Sequence, residues 1–577
     1  MFFCTKEINA KIVISLLKSH GIKNIIASPG ATNVALIGSI QNDPFFNIYS
    51  AVDERSAAYM ACGLADESGE PVVLSCTGAT ASRNYLPGLT EAFYRKLPVL
   101  AITSTQSISK IGHLEAQVID RSSIQNDVAK LSVTLPIVKD ADDEWECEIK
   151  TNNAILELNR NGGGPVHINL QTIYDGFENT ELTSYRIINR ITYDDVFPEL
   201  IGKVAILIGS HKKLNDLEVN AIDKFCLSNS AVVFCDHTSN YYGKYRVTLS
   251  LVASQVFLNK NKIIPDTLIH IGEISGDYPL LNMPWRNVWR VNVDGNLVDK
   301  FKKLRYVFEM NESDFFEKYS NKKEEYNSEY LSNCISILDG IRSNIPVLPF
   351  SNIWVASILA SKLPENSILH LGILNSLRSW NLFEITKGVS SMSNVGGFGI
   401  DGIISSLLGA SLNNSNKLCF CVLGDLAFFY DLNTLGNRHI GNNIRILIIN
   451  NGVGTEFKQY NHHASLFKNK ANDFIAAAEH FGNKSEFLVK NFSENLGFEY
   501  ISASNKEQFN RVYSKFISEE PNEKPIIFEV FTNSEDESEA LKIIHHIHQD
   551  SDVKFKKVAK SLVSNNVKKN IKKILGK

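Results

Sequence analysis

Apolar residues in this chain come in short runs, each followed by a longer stretch with helical spacing. NIIAS, FNIYSAV, PVVLSC, PVLAIT and PVHINL fall in the first 180 residues, with helical patterns such as TASRNYLPGLTEAFYRK between them. Runs this short and rich in β-branched residues read as strands covered on both faces. Strands that alternate with helices predict a parallel, doubly wound sheet. VAILIG, AVVFCD, TLIHIG and VWRVNVD form a second block, and SILHLG, LCFCVLGD, IRILIINN and PIIFEVF a third. The predicted fold class is therefore α/β, with three doubly wound parallel-sheet domains at 1–180, 190–335 and 345–550 and a tail at 551–577. A polar stretch near 172–197 reads as a linker. The charged segment SDFFEKYSNKKEEYNSEYLSN reads as a solvated linker helix. No short-period repeat runs through the chain.

At 577 residues the chain is too long for one core, and its length suggests about three or four domains. Hydrophobic content of 44% and charged content of 21% are ordinary for a globular protein. A net charge of −4 gives the chain as a whole no nucleic-acid footprint. The ends differ: residues 552–577 carry +8, leaving −12 on the rest. In DVKFKKVAKSLVSNNVKKNIKKILGK, apolar residues recur among lysines at rough helical spacing. This tail suits either an anionic membrane surface or a solvated end.

Nine cysteines include no CxxC pair. Cys419 and Cys421 share one face of an apolar strand, which suits core thiols better than a zinc site. MFFCTKEINAKIV lacks the order of a secretory signal and leads into a helix. No apolar run approaches the ~18 residues of a bilayer span. The expected setting is the cytoplasm, with the tail as a contact at the inner membrane face.

Candidate chemistry is concentrated in the third block. One apolar strand ends in Gly424-Asp425 and the next in Asn450-Asn451, with Asp425 and Asn451 26 positions apart. Parallel neighbours in a βαβ unit bring both strand ends to the edge where α/β ligands bind. A carboxylate, an amide oxygen and a backbone carbonyl form a hard-oxygen set that suits Mg²⁺ with phosphate oxygens. Gly424 and Gly452 allow close approach to a diphosphate.

GD and NN at this spacing resemble the diphosphate motif of the thiamine diphosphate enzymes. Further features resemble the branch of that family containing the menaquinone-pathway synthase of 2-succinyl-5-enolpyruvyl-6-hydroxy-3-cyclohexene-1-carboxylate (SEPHCHC). These are SPG at Ser28–Gly30, DERSAAYMACGLA from Asp53, GPVHINL from Gly164, NSLR from Asn375, GGFGIDG from Gly396 and GDLAFFYDLN from Gly424. The resemblance covers roughly residues 5–535 and is weakest in the central block. It implies pyrimidine-binding, central and diphosphate-binding domains, and thiamine diphosphate with Mg²⁺ as cofactors. Metal ligands would be Asp425, Asn451 and the carbonyl of Val453, with Asn450 as the register alternative. Thr77, Gly399, Ile400, Gly424 and Leu426 would lie at the cofactor.

Read by itself, DERS opens a helix, with Asp53 as its N-cap and Glu54 in the first turn. The resemblance adds that Glu54 hydrogen-bonds the aminopyrimidine ring and so promotes loss of the thiazolium proton, a role a buried carboxyl suits. Ile400 would be the wedge beneath the bent cofactor, a reading that the motif around it favours over a plain core Ile. Gln117 would approach cofactor or substrate, with His113 nearby. Ser376 would be a substrate-side polar residue. His462 and His463 are adjacent, so at most one would face the site.

The implied activity is decarboxylation of a 2-oxo acid and transfer of the acyl carbanion to an acceptor. A homodimer or homotetramer would share its sites, with the small residues behind Glu54 letting two subunits' helices approach closely. Several of the family's arginines are absent, however. SPGSR is SPGAT with Thr32 in place of Arg; NRG is NVG with Val395; and in NSxxxR the Arg position is Trp380, with Arg378 two residues earlier. Lost cations are costly where carboxylates must bind. This predicts a less anionic acceptor, such as an aldehyde, ketone or enone. The tail resembles those on surface-polysaccharide enzymes, which adds an unusual sugar precursor to the candidates. The alternatives are the SEPHCHC synthase itself, with Arg378, Arg83 or Arg55 as substitutes, a plain decarboxylase, and a non-enzymatic relic. Intact Glu54, Ile400, Asp425 and Asn451 weigh against the relic.

Overall fold

The computed structural model describes residues 2–121, 123–320, 326–414, 416–478, 485–520 and 522–549. The basic tail lies outside them. The chain divides into two compact units, Met1–Val196 with Asp294–Glu309, and Phe197–Val293 with Met310–Lys577.

In the first unit a six-stranded sheet runs in the order Asn47–Ser50, Asn24–Ala27, Val72–Cys76, Val99–Thr105, Val166–Gln171, Leu131–Leu135. Every pairing in it is parallel. Alternate residues serve two cores. Val73, Leu100 and Ile102 face the helices Ile8–Ser19 and Ala141–Glu157. Val72, Leu74, Cys76, Val99 and Ala101 face the helices Glu54–Ser68 and Leu86–Arg95. Each fully buried Val, Leu or Ile side chain contributes about 1.5–3 kcal/mol, so the two faces bind helices independently.

Several details differ from the sequence expectation. TASRNYLPGLTEAFYRK forms two helices, Thr80–Asn84 and Leu86–Arg95, because Pro87 suits only a helix's first turn. The residues before the first helix form a strand, Phe2–Thr5, antiparallel to Phe177–Thr180. The polar stretch 172–197 is thus not a bare linker. It also carries Asn189–Ile191, which pairs with Leu304–Phe308.

The second unit holds two more parallel sheets. One runs Arg246–Thr248, Val232–Cys235, Val204–Ile208, Thr267–Ile271, Val288–Val291. The other runs Ser390–Met392, Ile368–Leu371, Cys419–Gly424, Ile444–Asn450, Ile526–Phe531, Glu499–Ala503. Cys419 and Cys421 are buried core thiols on one face of their strand, as their spacing predicts. The charged segment after the central sheet is not one solvated helix. Glu312–Tyr319 buries Phe315, Phe316 and Tyr319 around Phe225, and a separate helix spans Glu329–Arg342. An aromatic stripe at helical spacing outweighs the surrounding lysines and glutamates. Among the described residues, no helix is long and apolar enough to cross a membrane.

Candidate active site

The GD and NN strand ends lie side by side. In the parallel register Gly424 sits opposite Ile449, so Asp425 and Asn451 leave the sheet at the same edge. Asp425 is buried and its Oδ2 accepts from Gly452 N at 2.9 Å, joining the two loops. Gly452 has φ +71°, a left-handed turn that favours glycine. Asn451 Oδ1 accepts from Val453 N at 3.3 Å, which folds the loop into an Asx turn. Asp425 and Asn451, together with Ile400, Gly424, Leu426, Val453 and Thr455, line a cavity of about 230 Å³. Asn451 rather than Asn450 stands on that wall. Asn450 turns inward and donates to Glu529 Oε1 at 2.6 Å.

These residues fit the diphosphate and its cation. A Cβ built on Gly424 meets nothing within 4 Å, so the backbone leaves free space where a diphosphate would approach. The donor set is a carboxylate, an amide oxygen and a carbonyl, all hard oxygens of the kind Mg²⁺ takes. Among the described residues no group of three or more His, Cys, Asp or Glu side chains could hold a metal ion.

Ile400 is placed by a separate set of contacts. Asp431, in the same GDLAFFYDLN run, accepts from Ser405 N at 2.7 Å and Ser405 Oγ at 2.5 Å. This carboxylate satisfies the start of helix Ile403–Leu412, directly after Gly399 and Ile400. Gly399 itself abuts the Asp401 side chain, and Ile400 packs partly on the core while facing the cavity.

Ser376 is buried, accepts from Asn352 Nδ2 at 3.3 Å and lines the same cavity. Arg378 lies on a larger cavity of about 610 Å³, which also takes in Asp277, Tyr278, Tyr460 and His462. Its guanidinium donates to Glu456 Oε1 at 2.6 Å and stacks 4.4 Å from the centre of the Tyr278 ring. Glu456 and Glu537 line both cavities. Glu537 is buried, and desolvation pushes its carboxyl up to about 7 even though it accepts from Thr532 Oγ1 and Asn352 N. Neither glutamate belongs to a motif, and only their place beside Thr532 and Asn375 reveals them.

The positions of the missing arginines do not line these cavities. Trp380 is fully buried, and Val395 packs beside Leu377 where a Cβ on Gly276 would sit. Neither lines either cavity. Thr32 is likewise interior: its hydroxyl donates to Ser104 O at 2.9 Å and accepts from Gly78 N at 3.1 Å. The expectation of a less anionic acceptor drew on these three positions, and their side chains are spent on internal packing.

Thr32, Glu54, Thr77 and Gln117 all belong to the first unit. Asp53 caps the helix by accepting from Ser56 N at 3.0 Å. Glu54 is half-buried and accepts from Asn84 Nδ2 at 3.2 Å. Thr77 Oγ1 accepts from Thr32 N at 3.3 Å. Gln117 is exposed at φ +63°, and its carbonyl would lie 3.3 Å from a Cβ on Gly78; His113 is exposed on the same loop. The small residues behind Glu54 serve the unit's own core rather than a partner's helix. Ala57, Ala58, Ala61 and Ala65 are buried, with Ala58 directly against Gly88. Only Gly63 of that set, with Tyr59 and Met60, faces outward.

Comparison with known proteins agrees with this assembly. Residues 9–126 match the family described as thiamine pyrophosphate enzyme, N-terminal TPP binding domain. A SEPHCHC synthase from Phocaeicola vulgatus is 31% identical over 92% of this chain and 97% of its own. The enzymes of that name from Bacteroides fragilis and Bacteroides thetaiotaomicron are each 30% identical over 92% of this chain, covering 98% and 97% of their own. A diphosphate-type cavity at the strand ends, the matching N-terminal domain and this near-complete alignment lead to one conclusion: the chain belongs to the thiamine diphosphate-dependent enzymes, among the decarboxylating carboligases related to SEPHCHC synthase.

Proposed function

We propose that the protein uses thiamine diphosphate with Mg²⁺ to decarboxylate a 2-oxo acid and join the remaining acyl unit to an aldehyde, ketone or enone acceptor. The observation that carries this reading is the 230 Å³ cavity on which Gly424, Asp425, Asn451, Val453 and Ile400 converge. Bound cofactor supplies the nucleophilic carbon and the electron sink for decarboxylation. The residues supply the rest. Asp425, Asn451 and the Val453 carbonyl would hold Mg²⁺ and the diphosphate, Ile400 would support the cofactor from the cavity wall, and Glu54 would hold a proton at the aminopyrimidine ring. The larger cavity beside Arg378 offers room for an acceptor.

A homodimer is part of this reading, with a tetramer as a larger form of it. Tyr59 and Met60 are 48% and 45% exposed on the Glu54 helix, and Val52 beside it is 79% exposed. Such an apolar patch around a half-buried carboxylate suits a partner surface. The proposed setting is the cytoplasm. A membrane contact, or a place in surface-polysaccharide synthesis, would rest on the basic tail alone.

The test is thermal unfolding with thiamine diphosphate and Mg²⁺ added singly and together, followed by a 2-oxo acid screen for CO₂ with and without acceptors. Stabilisation by the pair alone, and CO₂ release that rises with an acceptor, support the reading; no shift with both cofactors overturns it. The alignment over 97% of the Phocaeicola vulgatus enzyme favours a second reading, the SEPHCHC synthase reaction itself. Efficient turnover of isochorismate with 2-oxoglutarate would establish that one.

A further inference from the structure

Glu537 stands where the two cavities of the second unit meet. It is 3% exposed and lines both the cavity of about 230 Å³ and the cavity of about 610 Å³. Its hydrogen bonds all come from donors. Thr532 Oγ1 gives to Oε1 at 2.8 Å, and Asn352 N gives to the two oxygens at 2.9 and 3.1 Å. A carboxyl that accepts from such donors, at the start of the helix Asn352–Leu359, would ordinarily shed its proton. Burial outweighs the donors here and raises the pKa from 4.5 to about 7, with Asp536 adding to the rise. Both partners spend a hydrogen on this carboxyl rather than take one from it.

The fold has no need of an acid at this point. Helix Asn352–Leu359 is already capped by Ser351, whose side chain accepts from Trp354 N at 3.2 Å. A neutral amide could accept the bonds from Asn352 N and Thr532 equally well. Asn352 adds a second observation. It is 2% exposed and lines the smaller cavity; its Nδ2 donates to Ser376 Oγ at 3.3 Å, while its Oδ1 is buried with no partner. One wall thus presents a proton to give beside an acceptor that lacks a donor. A buried polar atom left in that state is costly unless a ligand satisfies it.

The neighbours leave this acid distinct. Glu456 also lines both cavities, but it is already paired with Arg378 at 2.6 Å. The elements packed on helix Ser534–His545 bring that glutamate and one cation, Lys458, both on Thr455–Lys458. Lys458 is turned to Lys468 O and Asn472 Oδ1. Helices Asn352–Leu359 and Ser250–Ser254 bring no titratable side chain. Joining a 2-oxo acid anion to a carbonyl acceptor with loss of CO₂ takes up one proton per turnover. The new C–C bond forms, the acceptor's C=O π bond breaks, and its oxygen ends as a hydroxyl; for an enone the proton goes to the α-carbon instead. A positioned acid that is still protonated near neutral pH suits that demand.

We propose that Glu537 is the general acid of the carbon–carbon bond-forming step, giving its proton to the acceptor at the wall shared by the two cavities, with Asn352 Oδ1 accepting from the hydroxyl so formed. The proposal rests on the carboligase function given above. Glu537 leaves the step as a carboxylate, still held by Asn352 N and Thr532 Oγ1, and regains its proton from water in the larger cavity. Those two donors favour the charged form, so they ease the transfer at the moment it occurs.

The test uses the holoenzyme with a 2-oxo acid and a carbonyl acceptor from the screen described above. In the wild type, the rate of ligation should fall as pH rises through about 7, because only the protonated carboxyl can give a proton. Glu537→Gln should lower kcat for ligated product by roughly 10²–10⁴-fold, far more than it lowers CO₂ release in a single turnover, and should remove that fall with pH. Glu537→Asp, which keeps an acid on the same wall, should restore part of the ligation rate. Equal loss in both steps, ligation unaffected by Glu537→Gln, or the same pH dependence in the variant overturns the proposal. If Glu537→Gln does not fold, a wild-type ligation rate that stays level above pH 7 overturns it alone, and a fall confined to ligation supports it. Infrared difference spectra of the substrate-free protein, between roughly pH 5 and pH 9, read the proton without turnover. Glu7, Asp277 and Glu529 are also acids raised by burial, so the band is taken as wild type minus Glu537→Gln. A protonated-carboxyl band that belongs to Glu537 and disappears as pH rises supports the proposal, and no such band overturns it. Absence of CO₂ release by the wild type from any 2-oxo acid sinks the functional reading, and the role of Glu537 with it; the infrared result tells that failure apart from the lack of an acid at this wall.

Discussion

Gly424 allows the cofactor requirement to be separated from the requirements of the fold. Its φ and ψ are −79° and 165°, a region open to any L residue. A Cβ there would meet nothing within 4 Å. The apo protein therefore makes no demand for glycine, and Gly424→Ala should raise its stability by about 0.4–1 kcal/mol through the unfolded chain. Gly424→Val, at a strand end where branched side chains are comfortable, should cost the apo protein nothing measurable. Both side chains enter free space beside the cavity of about 230 Å³. Once that space is filled by a diphosphate and its cation, extra methyl groups count as overpacking, at about 1–3 kcal/mol. Cofactor affinity should then fall roughly 5- to 150-fold, more for Val than for Ala.

Urea unfolding of the apo protein and calorimetry with thiamine diphosphate and Mg²⁺ measure the two effects separately. Gly88→Ala is the contrasting case, because its Cβ would collide with Ala58 in the core. It should lose apo stability by about 1–3 kcal/mol. A Gly424→Val protein that binds cofactor as tightly as wild type would refute the placement of the diphosphate. A drop in its apo stability of more than about 1 kcal/mol would show that the fold itself needs this glycine.

Other expectations follow from the same geometry. Asp425→Asn and Asn451→Ala should each remove the Mg²⁺-dependent part of thermal stabilisation while leaving the apo melting temperature unchanged; stabilisation by the full cofactor pair in both variants would remove the metal assignment. Glu54→Gln should still bind cofactor but slow exchange of the thiazolium proton by roughly 10²–10⁴-fold, read by NMR; fast exchange would rule out its proton role. Glu537 is held protonated by burial, with its carboxyl raised from 4.5 to about 7. A raised folded pKa favours the protonated form, so its contribution is full below about pH 4.5 and is lost as pH rises through 7. The loss is about 3 kcal/mol, and Glu537→Gln should flatten the slope of stability against pH by that amount. Met60→Asp on the outward face of the Glu54 helix should leave the unit folded but lower the sedimenting mass to that of a monomer, and an unchanged mass would contradict the dimer.

The sheets were legible because both of their faces are covered. Strands such as VVLSC and LCFCVLG are apolar at every position or nearly so, and no other element explains such short runs. LSVTL escaped notice for the opposite reason. Its Ser132 and Thr134 bond to His167 and Asn169, so hydroxyls stand on a face where apolar residues would have marked a strand. The alanines behind Glu54 show another limit. Composition says that something packs closely there, and only the Cβ directions say that it is Gly88 of the same chain. Asp425 and Asn451 were readable because strand register and a left-handed glycine place them, almost independently of side-chain orientation.

Substrate-side residues were less legible because their meaning lies in the direction they face. Arg378 and Trp380 stand two positions apart in the helix Asn375–Trp380. At 3.6 residues per turn, that separation turns a side chain about 200° around the axis. Trp380 accordingly packs into the core, while Arg378 reaches the larger cavity and pairs with Glu456. Arg378 therefore stands on the other side of the helix from the position of Trp380. In the first unit Thr32 is an internal strut, its hydroxyl donating to Ser104 O and accepting from Gly78 N. A count of missing arginines treats both changes as loss of charge. The side-chain directions separate the two cases: Thr32 is held inside the first unit by Ser104 and Gly78, whereas Arg378 stands on the wall of the larger cavity.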